Sequence, residues 1–134
     1  MTPEEVALLS ELTIIIPTYN RPLELERAIE FWRDTPVTVH ILDGSEKPWF
    51  PLGHIKSAST VTYHHIPAEK DQAPMDSIFQ RILYGSKLPV TKFSAFGCDD
   101  DFYTISGLVE SLEILKSDNS IDAVAGRVLT YQKS

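Results

Sequence analysis

Three consecutive acids, Asp99, Asp100 and Asp101, form the densest run of ionisable side chains in the sequence. Carboxylates this close repel one another, and holding them at the edge of a core costs free energy that a bound cation offsets. Hard oxygen donors, few in number, suit Mn²⁺ or Mg²⁺ completed by water and substrate phosphates. The bland alternative is a solvated acidic turn. Phe93, Ala95, Phe96 and Gly97 weigh against it, because they predict a buried strand that delivers Asp99 to the edge of a core. Neither G-x-x-x-x-G-K-[ST] nor G-x-G-x-x-G occurs, so the chain has no glycine-rich phosphate cradle. A diphosphate would draw its counter-charge from an ion on the aspartates, with help from Arg21 or Lys70.

Other reactive side chains point elsewhere. His64 and His65 are neighbours on a predicted strand and face opposite ways, while His40 and His54 have no partner at metal-ligand spacing. Structural or surface roles are expected for all four. Cys98 precedes three carboxylates, which suppress its thiolate. Ser45 lacks the G-x-S-x-G elbow of a hydrolase and reads as a turn residue.

The elements that must position these groups follow from periodicity. Leu12 to Pro17 is a continuous apolar, β-branched run, as in a strand buried on both faces of a parallel sheet. Thr18 to Pro22 carries cap and first-turn residues, after which Leu25, Ala28, Ile29 and Trp32 repeat at helical spacing. Val37 to Leu42 predicts a second strand ending at Asp43, and Thr60 to Ile66 a third. Glu46 to Ser59 reads as a loop. Met75, Ile78, Phe79, Ile82 and Leu83 keep the i, i+3, i+4 stripe of an amphipathic helix, with Pro74 near its start. A strand over Lys92 to Cys98, a helix marked by Ile105, Leu108, Leu112 and Leu115, and a last strand over Ile121 to Tyr131 complete the chain.

Strands alternating with helices predict an α/β three-layer sandwich with a mainly parallel sheet, whose ligands bind beyond the carboxyl ends of the strands. Thr18 to Arg21, Asp43 to Ser45 and Asp99 to Asp101 each follow a predicted strand, so one crevice can gather them. A length of 134 residues fits one domain with a real core, and 43 % hydrophobic with 23 % charged residues is ordinary for a globular protein. The net charge of −7 with no basic run argues against nucleic acid. A single cysteine excludes an internal disulfide and fits a cytoplasmic location. No signal peptide or membrane-spanning run is legible.

Leu12-Thr-Ile-Ile-Ile-Pro-Thr-Tyr-Asn-Arg-Pro22, Ile41-Leu-Asp-Gly-Ser45 and Cys98-Asp-Asp-Asp101 together resemble the opening strand and loop, the second-strand aspartate and the D-x-D element of family 2 glycosyltransferases of the GT-A fold. Order and spacing agree over nearly the whole chain. The resemblance implies a nucleotide-sugar-binding domain over residues 1–134, taking a nucleoside diphosphate sugar, most naturally a UDP-sugar. It places Pro17, Thr18, Tyr19 and Arg21 in the nucleotide-binding loop, with Tyr19 and Asp43 on the base. Asp99 and Asp101 fall on ribose and metal, and Asp100 can substitute for either. The family's acceptor-binding half and catalytic base would lie beyond Ser134, so no catalytic residue is assigned. Two positions depart from the pattern: Leu42 replaces the first of two acids, and Lys70-Asp-Gln-Ala-Pro74 replaces an amide-and-glycine segment.

Other readings are a non-catalytic nucleotide-sugar-binding module, a nucleotidyltransferase and a receiver-type signalling domain. A nucleotidyltransferase should show a glycine- and base-rich loop where Pro17 to Pro22 stands. A receiver needs paired acids after the first strand, which here ends in Pro-Thr-Tyr-Asn.

Overall fold

The first apolar run becomes strand β1, Leu12–Thr18, in which every residue except Pro17 is buried. Burial on both faces marks a central strand, and β1 is flanked by β2 (Thr38–Asp43) on one side and β4 (Phe93–Phe96) on the other. Beyond β2 lies β3 (Val61–His65), giving the order β3-β2-β1-β4 with all pairs parallel. These coordinates come from a computed structural model that describes residues 1–49 and 60–127. The chain divides into two compact units, Met1–Phe102 and Tyr103–Ser134.

A helix absent from the sequence expectation precedes the sheet: α1, Pro3–Leu9. Its signal is local, a capping box in which Thr2 Oγ1 accepts from the Glu5 amide at 3.1 Å while Glu5 Oε1 accepts from the Thr2 amide at 3.4 Å. Helix α2, Pro22–Arg33, connects β1 to β2 and buries the four residues that its periodicity selects, Leu25, Ala28, Ile29 and Trp32. Helix α3, Pro74–Ser86, leads towards β4. It keeps its expected span but turns its apolar stripe outward: Ser77, Arg81 and Gly85 are the buried residues, whereas Met75, Ile78, Phe79 and Leu83 are exposed. Close approach explains the choice of face. A Cβ on Gly85 would meet Ile15 Cγ2 at 2.6 Å and Leu42 Cδ1 at 2.7 Å, so the side of α3 that carries Gly85 is the one that fits on the sheet.

Side-chain alternation then sorts the two faces. Thr18 and Asp43 are register partners and share the face next to the start of α2, whereas Ile15 and Leu42 point the other way, under α3. An all-parallel sheet with helices on both faces is the α/β architecture expected.

Two expectations need correction. The strand placed over Lys92 to Cys98 is shorter and sits at the sheet edge, where Ser94 and Phe96 are exposed, because β1 is its only neighbour among the described residues. The last strand is not formed over residues 121–127, and residues 128–131 lie outside the described part. Asp122, Ala123, Ala125 and Gly126 are residue types that strands disfavour.

In the second unit, α4 (Ile105–Ser117) is capped by Thr104, whose hydroxyl accepts from the Gly107 amide at 3.1 Å, and buries Leu108, Val109 and Leu112. Most of the expected loop over Glu46 to Ser59 is outside the described residues. No helix among the described residues is long and apolar enough to cross a membrane.

Candidate functional site

From β1 the chain moves outward through β2 to β3 and then returns to the opposite side of β1 as β4. The strand order therefore reverses between β1 and β4, and the crevice at the carboxyl ends there is where open α/β sheets place ligands. Thr18 and Asp99 meet at this point: Thr18 Oγ1 donates to Asp99 Oδ2 at 2.7 Å. Arg21, at the start of α2, closes the other side. Its Nη1 reaches Asp99 Oδ1 at 3.1 Å and its Nη2 reaches Asp100 Oδ2 at 3.0 Å. The hydrogen bond to Asp100, followed by the charge of Asp99, pushes the Arg21 guanidinium above its ordinary value. Asp99 is only 4 % exposed and has both oxygens engaged.

A cation is expected at the acidic triplet from its sequence, and Arg21 supplies much of that counter-charge. Asp101 is exposed and accepts no hydrogen bond among the described residues. The oxygen donors suit a hard divalent ion in kind. Their number is small: among the described residues no three His, Cys, Asp or Glu side chains converge as a ligand set. A metal on Asp99 and Asp101 would have to share Asp99 with Arg21. The Cys98 thiol is pushed up, first by desolvation and then by Asp101, which agrees with the inert thiol expected.

The second loop is a hydrogen-bonded knot around Asp43, which is 2 % exposed. Asp43 Oδ1 accepts from the Ser45 amide at 2.9 Å and from Ser45 Oγ at 2.6 Å, while Oδ2 accepts from the Tyr63 hydroxyl at 2.5 Å. Tyr63 in turn accepts from the Trp49 amide at 2.8 Å. Burial, and then the bond to Asp43, pushes the Tyr63 phenol above its ordinary value. Ser45 also ties the first loop to the second, because its hydroxyl accepts from the Asn20 amide at 2.8 Å. Asn20 holds a left-handed backbone with φ 53°, a conformation that Asn tolerates better than most residues. Asp43 was expected to meet a nucleotide base. A carboxylate has about four lone-pair sites and three are already used, so one remains for a ligand.

Between these loops and the start of α2 lies a cavity of about 280 Å³ whose wall includes Thr18, Asn20, Arg21, Asp43, Lys47 and Trp49. Lys47 was not selected from the sequence; nothing in its spacing marks it. Pro17 sits half-buried beside Leu42 in the β1–β2 register, and Tyr19, 54 % exposed, extends past the strand end. Lys70 is exposed in the loop before α3 and is not part of the cavity wall.

The most informative residue missed in the sequence is Arg81. It is 3 % exposed, its one side-chain hydrogen bond among the described residues runs from Nη1 to Ser77 Oγ at 2.6 Å, and its Nε has no acceptor. The guanidinium packs against Gly44, where any side chain would collide with it. Desolvation pushes its pKa down, opposed by the charges of Asp43 and Tyr19, which places the cation near both loops but without a carboxylate partner in ion-pair range among the described residues. A polar residue on the sheet-facing side of α3 was the available signal.

His40 and His64 also form an unforeseen pair, with Nδ1 of one 2.9 Å from Nε2 of the other across β2 and β3. The His64 and Tyr84 rings meet edge-on, with centroids 5.8 Å apart. His65, on the opposite face, donates through Nε2 to the Ser45 carbonyl at 2.7 Å. No protein-family model matches the chain, and comparison with curated proteins gives no significant match.

Proposed function

We propose that this chain binds the nucleotide end of a nucleoside diphosphate sugar, most naturally a UDP-sugar, and serves as the donor-binding part of a GT-A type glycosyltransferase related to family 2. The observation that carries the proposal is the meeting of Thr18, Arg21 and Asp99 at the point where strand order reverses, with Asp43 and Ser45 tied to the same loop. Tyr19 offers an exposed ring on which a base can stack, and Asp43, in the cavity wall, keeps one acceptor site. Arg21 and Lys47 provide cationic charge for a diphosphate. Mn²⁺ or Mg²⁺ would be held by Asp99 and Asp101, with Asp100 as a substitute, and would neutralise charge developing on the leaving diphosphate. No catalytic base is assigned.

Calorimetry with UDP tests the reading. Binding is expected with Mn²⁺ present, weakened by chelator and by Asp101→Asn, and weaker for CDP, which lacks the N3 hydrogen of uracil. Absence of UDP binding in every condition refutes the donor-site proposal; equal binding with Mn²⁺ and with chelator refutes its metal component.

A further inference from the structure

Helix α3 presents to solvent the apolar side that its sequence pattern would ordinarily bury. Met75, Ile78, Phe79 and Leu83 lie between 38 % and 64 % exposed, on turns spaced i, i+3, i+4 and i+8. At about 200 Å² for a large side chain, they leave on the order of 400 Å² of apolar surface in one patch. A patch of that size ranks with the largest on an ordinary monomer, which is often functional, and it could form the centre of an interface that buries about 800 Å² per partner. Charge is arranged lengthwise around it. The approach to α3 and its first turn carry the exposed acids Glu69, Asp71 and Asp76 against one base, Lys70. From residue 82 to residue 97 the only charged residues are the exposed Lys87 and Lys92.

One arrangement satisfies both features. If α3 meets a second α3 in the antiparallel sense across a two-fold axis, the apolar stripes face each other. The acidic start of each helix then lies beside the basic end of the other, and the helix dipoles oppose favourably. A parallel pairing would place acids on acids. An anionic lipid surface would face the acids together with a chain whose net charge is −7. We propose that α3 is the contact element of a homodimer, packed antiparallel on its counterpart around Phe79 and Leu83.

The test is analytical ultracentrifugation of the full chain over a concentration series. A reversible dimer is expected. Phe79→Glu, at an exposed position, should raise its dissociation constant by about 30-fold or more, with an unchanged circular dichroism spectrum. Lys87→Glu should weaken the dimer, and the double variant Asp76→Lys with Lys87→Glu should restore it, because each new lysine meets a new glutamate on the other copy. A chain that stays monomeric overturns the proposal, including one that instead sediments with phosphatidylglycerol vesicles. A dimer indifferent to Phe79→Glu, or not rescued by the charge swap, overturns it as well. UDP calorimetry on the same samples reads the donor site separately, since α3's outer face is not among the residues assigned there.

Discussion

Replacing Arg81 by Met should make the chain more stable and a poorer binder of UDP. The guanidinium is 3 % exposed, has one neutral hydrogen bond, to Ser77, and carries an Nε without an acceptor. Withdrawing such an ion from water costs several kcal/mol, and exchanging buried ionic groups for apolar side chains of similar volume is commonly neutral or stabilising by about 1–4 kcal/mol. Two effects reduce the gain. Asp43 lies near enough to favour the charge, and the Ser77 hydroxyl loses its partner, which costs about 1 kcal/mol. Arg and Met have nearly equal helix propensity, so the backbone of α3 adds little. The net expectation is stabilisation by about 1 kcal/mol, a rise of roughly 3–5 °C in the melting temperature for a domain of this size.

The binding side has the opposite sign. Arg81 does not line the cavity, so what it offers a bound diphosphate is its charge: across roughly 10 Å at an effective dielectric of about 20 that is on the order of 1.5 kcal/mol, so Arg81→Met should weaken UDP by about 10-fold. Arg81→Lys keeps the charge but loses the fixed fork of donors, and should fall between parent and Met variant. Thermal unfolding followed by circular dichroism gives the first quantity and calorimetry the second. A Met variant that melts several degrees lower while binding UDP as well as the parent would show Arg81 to be a structural residue and refute the reasoning.

Two further outcomes are expected. Tyr63→Phe removes the donor to Asp43 Oδ2 and should destabilise the chain by about 1.5–3 kcal/mol in urea unfolding, while leaving the Ser45 bonds to Oδ1 in place. Stability should also fall as pH drops below about 6.5. Burial lowers the pKa of His40, and burial together with His40 lowers that of His64, so the unfolded chain binds more protons in that window and gains on the folded one as pH falls towards the folded values. Replacing both residues, His40→Gln with His64→Gln, should flatten the pH dependence of the melting temperature between pH 7 and pH 5.

What the sequence made legible depended on how far a signal travels along the chain. Leu12 to Pro17 announced a central strand because both its faces are buried, and Leu25, Ala28, Ile29 and Trp32 announced α2 because one core covers them all. Those are local patterns with one tertiary outcome. For α3 the periodicity was equally clear and gave the span correctly, yet the face was the reverse of what hydrophobicity suggests. The steric demand that decides it, Gly85 against Ile15 and Leu42, joins three residues far apart in sequence. The Thr2–Glu5 capping box, by contrast, is written in four adjacent residues.

The same distinction applies to the site. Its place could be read from three polar clusters that each follow a strand, because a parallel sheet sends every strand end to the same edge. The state of each carboxylate could not. Asp99 is not a free ligand but one end of a bridge to Thr18 and Arg21, and Asp43 is the centre of a knot with Ser45 and Tyr63, all partners that meet only once the sheet is assembled. In the proposed donor complex a divalent ion would therefore compete with Arg21 for the same buried oxygen atoms of Asp99, and the two would also be complementary. A cation that takes over Asp99 would release a guanidinium at the wall of the cavity, where the diphosphate that accompanies the metal needs one. The same guanidinium gives Asp99 and Asp100 their counter-charge where the acidic triplet meets the core.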